Sequence, residues 1–179
     1  MREAYFHEDD YCQTELLPVA SYKHCRGQLG EIESFSSQRE SELGWTDMFM
    51  RGEPSTTTLA ATGIPRHALR EQLIQFLPPF DRVTTGYSTY KEECVDTFAF
   101  GANRNLILFG EHGAEHVTKL WLTIYGLSGH DTELAARMFR LLSQWELLIV
   151  DWSMSAIVAL NDVDAVGQYL AEFRAADNT

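Results

Sequence analysis

Residues 111–116, Glu-His-Gly-Ala-Glu-His, carry the most specific chemical spacing in the chain. Two histidines, His112 and His116, stand four residues apart, with Glu115 directly before the second. On one face of a helix, that order brings both imidazoles to a single zinc ion and sets the carboxylate beside the metal's water. Other groups invite weaker readings. Cys12, Cys25, His7 and His24 make a Cys2His2 set only if a hairpin folds over them, and neither cysteine lies in the close C-x-x-C type of pair that makes such a signal specific. His24 and Cys25 are no catalytic dyad, because neighbours in an extended chain point opposite ways; Cys94 would need a distant histidine. Glu92-Glu93 and Glu8-Asp9-Asp10 would serve sugar hydrolysis only if two carboxylates faced each other across a gap. Consecutive acids in turns are more often solvated.

The zinc chemistry stands or falls with the element that carries residues 111–116. Asn105-Leu-Ile-Leu-Phe-Gly110 before them has strand composition, and from His116 to Tyr125 Leu120, Leu122 and Ile124 alternate on one side. Between two such strands a glycine-bearing turn is the favoured reading. The helical alternative rests on Val117, Leu120, Trp121 and Ile124, which also fit one helix face. In that form residues 112–116 resemble the inverzincin zinc peptidases. The resemblance spans five residues and implies zinc held by His112 and His116, Glu115 as general base, a downstream carboxylate ligand and peptide hydrolysis, with Asp131, Glu133 and Asp151 the acids available for the missing ligand.

The remaining pattern predicts an α+β fold in a single domain, 1–179, with a mainly antiparallel sheet and about four helices. Strands around Ala4–His7 and Tyr11–Leu17 flank a polar turn and read as a first hairpin. Leu29, Ile32 and Phe35 mark a short helix over 28–40. The segment 45–64 reads as two short strands or a strand and a loop. Pro65 opens a second helix with Leu69, Leu73, Phe76 and Leu77 on one face, stopped by Pro78-Pro79. Residues 82–125 favour a meander of three or four strands. Ser128 and Asp131 form a capping box for a third helix with Leu134, Met138, Leu141, Leu142 and Trp145 inward. A strand pair around Ser153-Met154 and a last helix with Val163, Val166, Leu170 and Phe173 inward close the chain.

Composition narrows the partners. The 179 residues carry a net charge of −12, with eleven acids against five bases in residues 1–54 and eight against three in residues 131–179. Such a field repels phosphate, which disfavours nucleic acid and anionic membrane, and attracts a basic protein. No G-x-G-x-x-G, G-x-x-x-x-G-K-S/T or G-x-S-x-G motif is present, so phosphate cradles and a serine elbow are missing. No apolar run reaches the roughly 18 residues of a membrane span. The opening residues lack a secretory pattern, and three cysteines at irregular spacing suggest reduced thiols, so a cytoplasmic location is expected. Glu8, Asp9 and Asp10, Trp45 in its polar Gly- and Pro-bounded segment, and Asp151, which interrupts an apolar run, are the candidate partner contacts; edge strands also permit a homodimer. Through Tyr5–Pro18 and Leu147–Asp162 the chain resembles small acidic bacterial proteins, among them immunity proteins of polymorphic toxin systems. That resemblance implies a non-enzymatic inhibitor without cofactor that occludes a toxin's active site.

Overall fold

The computed structural model describes residues 1–41, 44–45, 57–87 and 90–175, with the backbone alone for 38–41 and 44–45. In chain order come β1 (Glu3–His7), a 3-10 turn (Glu8–Asp10), β2 (Thr14–Pro18), α1 (Tyr22–Arg39), β3 (Glu40–Ser41), β4 (Gly44–Trp45), α2 (Arg66–Leu73), β5 (Arg82–Gly86) and β6 (Glu92–Glu93). Then follow β7 (Thr97–Phe100), β8 (Leu106–His112), β9 (Val117–Ile124), α3 (Gly129–Leu142), β10 (Leu147–Asp151), β11 (Ala156–Ala159) and α4 (Val163–Ala171). The class is α+β, as expected. Among the described residues, a six-stranded antiparallel sheet in the order β11-β10-β2-β9-β8-β7 lies beside a three-stranded sheet, β1-β5-β6, whose β1–β5 pair is parallel.

Layering follows from the apolar pattern. Leu106 and Leu108 face one core with α2, α3 and α4, while Ile107 and Phe109 face another beneath Phe6 and Val83 of the small sheet. In β10, Leu147 and Ile149 join the first core, and Leu148 and Val150 pack with Cys25 and Leu29 of α1. Both strands are covered on both faces, so neither shows the polar alternation of a half-exposed strand. The large sheet is therefore a middle layer, with three helices on one side and the small sheet and α1 on the other.

Several expectations hold and others change. The Ser128–Asp131 capping box is formed in both directions at the start of α3. β7, β8 and β9 make the meander, but β5 leaves it for the small sheet. The first hairpin does not exist: β1 pairs with β5, β2 with β10 and β9. The 3-10 turn and Cys12, held at φ 55°, carry the chain from one sheet to the other instead of back on itself. The first helix starts at Tyr22, earlier than its apolar spacing predicts. Val163, predicted inward, is exposed in the first turn of α4. Among the described residues, no helix is long and apolar enough to cross a membrane.

Candidate partner-binding face

Strand pairing decides the fate of the histidine motif. His112 is the last residue of β8, and Gly113–His116 is the turn into β9, with a bulge between Glu111 and His112. The helical alternative is thereby corrected. The His112 ring stacks on Phe98 at 6.1 Å, and its Nδ1 lies 2.9 Å from the carbonyl oxygen of Gly113. Arg66 N–H donates to the Glu115 carbonyl at 2.9 Å and Val117 N–H to that of Ile64 at 3.0 Å, which ties the turn to the start of α2. Glu115 and His116 end in an exposed concavity of about 660 Å³ with Pro65, Arg66, His67 and Arg70. Among the described residues no three of His, Cys, Asp or Glu gather as a metal-ligand set, and 112–116 lack the helical face on which the His-x-x-Glu-His order would bring its two imidazoles to one ion. Cys12 and Cys25 lie in separate cores, so they share no site either.

The acidic turn has a different setting. Three successive acids follow His7, whose Nδ1 accepts the Asp9 N–H at 3.2 Å and so caps the 3-10 turn. Glu8 and Asp9 are exposed and Asp10 is half-buried. Beside them β5 ends at Gly86, at φ 150°, where an added Cβ would lie 2.0 Å from the Tyr90 carbonyl oxygen. Only glycine lets the chain fold back so closely. That return presents Tyr87, 62% exposed, with its ring 5.1 Å from His7, and Tyr90, 58% exposed, whose hydroxyl donates to Glu92 at 2.8 Å. Glu92 and, more weakly, Glu8 push the Tyr90 phenol pKa up, so the turn and the tyrosine loop share one negative field. Glu92 and Glu93 lie exposed on the edge strand β6, where charge also discourages strand addition.

Asp10 turns toward the end of the large sheet. There β9 and β10 finish and β2 begins; β2 and β9 meet at one bridge, Glu15 opposite Trp121, while Thr14 lies opposite Asp151. Between these strand ends and the last turn of α4 opens a pocket of about 520 Å³, its lining including Asp10, Thr123, Tyr125, Asp151, Glu172 and Phe173. Tyr125 OH donates to Asp10 at 3.2 Å. Asp151 is 1% exposed and accepts five hydrogen bonds, from Ser153 N–H and O–H, Met154 N–H, Thr14 O–H and Tyr169 O–H. Its expected role in a direct partner contact gives way to a structural one, because every lone pair is occupied. Burial and the Asp151 charge push the Tyr169 phenol pKa far up, which keeps that donor protonated.

The remaining candidates divide. Glu8, Asp9 and Asp10 share one turn, and Asp10 shares a pocket with Asp151. Trp45 pairs through its backbone with Glu40, and its side chain lies outside the described residues. Burial, then Glu92, Glu111 and Glu93, push the Cys94 thiol pKa up, the wrong direction for a nucleophile. Lys119, Tyr11 and Glu111 form a closed chain in which Lys119 donates to Tyr11, Tyr11 donates to Glu111, and Lys119 pairs with Glu111 at 3.1 Å. Sequence reasoning missed Tyr87, Tyr90, Thr123 and Tyr125, all of which fall in segments whose composition reads simply as strand. No family model, curated protein or solved structure matches the chain. Its own geometry has to carry the functional reading.

Proposed function

We propose that this chain is a non-enzymatic acidic binding module whose partner is a basic protein. The observation that carries the reading is the position of the Glu8–Asp10 turn, between two exposed tyrosines with flanking glutamates and a pocket that Asp10 itself lines. Large rings that present area at low entropic cost, set among acids, make a surface suited to lysine- and arginine-rich partners. Inhibition of a toxin, the activity its sequence resemblance implies, is the specific form this reading favours.

The test separates this face from net charge. An octa-arginine peptide serves as probe at low ionic strength, against octa-glutamate as control. Glu8→Lys with Asp9→Lys should weaken octa-arginine binding by about tenfold or more, whereas Glu31→Lys with Glu33→Lys, the same charge change on exposed α1 positions, should cost far less. Tyr87→Ala with Tyr90→Ala should weaken it by about tenfold with no charge change. Equal losses from the two charge reversals, with no effect of the tyrosines, would leave only a diffuse field and sink the reading.

A further inference from the structure

The pocket at the sheet end has features that a diffuse field does not need. Thr123 lines it and is 8% exposed, and its buried Oγ1 has no hydrogen-bond partner among the described residues. A buried hydroxyl left unmatched costs free energy unless a water or ligand completes it. Asp10 lines the same space; its Oδ2 accepts the Tyr125 O–H, and among the described residues its other carboxylate oxygen accepts no hydrogen bond. Asp151 contributes charge but no free lone pair, since five donors already surround it. Phe173 and Tyr125 supply aromatic surface, with Tyr125 half-exposed at the rim. Among the charged lining groups, Asp10, Asp151 and Glu172 face one cation, Arg174, so the lining is net negative.

The free groups are thus acceptors beside aromatic faces, in a negative cavity. An ammonium group is compact and strongly hydrated. A guanidinium is planar, more weakly hydrated, stacks on rings and offers five donors in a fixed fork, which matches a carboxylate at one side and a hydroxyl at another. We infer that this pocket receives a guanidinium group, supplied by an arginine side chain of the basic partner. The inference rests on the binding reading above and gives its face an anchor: Glu8 and Asp9 attract the partner, while the Asp10 pocket holds one side chain. Asp10, Thr123 and the two rings are the binding groups, and Asp151 is a positioning residue that fixes the strand ends around them.

The whole chain is titrated with ethylguanidinium, and separately with propylammonium, while backbone amide resonances are followed. Saturable shifts at Thr123, Tyr125 and Phe173, with ethylguanidinium several-fold tighter than propylammonium, are expected. Asp10→Asn should weaken ethylguanidinium by about tenfold, the loss expected for a hydrogen bond to a charged group. Thr123→Val keeps the side-chain shape and should also weaken it, whereas Arg174→Ala removes a like charge and should tighten it. A merely structural role for these residues would not produce that opposite sign. Absence of saturable shifts, or affinity unchanged in both Asp10→Asn and Thr123→Val, overturns the inference and leaves Thr123 Oγ1 to a water molecule.

Octa-arginine then separates the sources. Weakening by the pocket variants as well as by Glu8→Lys with Asp9→Lys supports a partner's side chain. Sensitivity to Glu8 and Asp9 but not to the pocket variants keeps the binding reading and overturns the anchor. Ethylguanidinium bound in the pocket while octa-arginine ignores Glu8 and Asp9 overturns both the partner reading and the side-chain source, and identifies a site for a free guanidino compound.

Discussion

Two residue types that looked alike in the sequence have opposite physical roles. Glu115 is exposed in a turn held by backbone hydrogen bonds, and among the described residues its carboxylate has no hydrogen bond or ion pair, so Glu115→Gln should change stability by no more than about 0.5 kcal/mol. Asp151 gathers donors from β2, the β10–β11 turn and α4. Asp151→Asn replaces one oxygen by an amide donor that faces other donors, so a loss of about 2–4 kcal/mol is expected in urea unfolding. A loss below 1 kcal/mol would mean that these donors find water as readily as the carboxylate. Zinc added to the intact chain should leave its thermal midpoint unchanged, in native protein and His112→Ala alike; a stoichiometric rise abolished by the variant would restore the metal reading. The sequence showed that Asp151 was unusual, because it breaks an apolar run. It did not show why, since Tyr169 comes eighteen residues later and Thr14 lies near the other end of the chain.

Among the elements, legibility followed the range of the interactions. The capping box of α3 and the inward face of α2 are local, and both could be read from spacing. The β8–β9 turn was readable from its glycine and flanking strands. Pairing of β1 with β5 was not, because the two strands are separated by most of the first half of the chain and are joined by contacts between distant residues. One of these contacts gives a pH signature. Arg82 is the main cause, with Thr84 and Lys91, that holds the Glu3 carboxyl down at about 2 from its ordinary 4.5. Thr84 donates to Glu3 at 2.9 Å and Lys91 at 3.3 Å. A depressed carboxyl stabilises the fold fully above its unfolded pKa and loses that contribution as pH falls toward the folded one. The urea midpoints of native protein and Glu3→Gln should therefore differ by a constant amount above pH 4.5 and converge as pH falls to about 2. A difference that persists unchanged at the acid end would assign it to packing instead of charge.

For the whole molecule, the informative feature is where the charge goes on folding. The sequence placed excess acid in residues 1–54 and 131–179 but gave no indication that the two regions meet. The sheet order brings the start of β2 beside the end of β10, so Asp10 from the first region and Asp151 and Glu172 from the second line one pocket. Part of the acidic excess of both regions is thus gathered at one end of the large sheet, next to Glu8 and Asp9 in the same turn as Asp10. Exposed charges act over a screening length of about 8 Å at physiological salt, so a concentrated patch guides an approaching cation over the last part of its path, where net charge spread over the molecule does little. The association rate of octa-arginine should therefore fall as salt rises, and the fall should be shallower in Glu8→Lys with Asp9→Lys than in Glu31→Lys with Glu33→Lys, although the two variants have the same net charge. Stopped-flow mixing across a salt series reads this slope directly. Parallel slopes in the two variants would mean that the molecule steers through its total charge, and that the meeting of its acidic ends has no kinetic consequence.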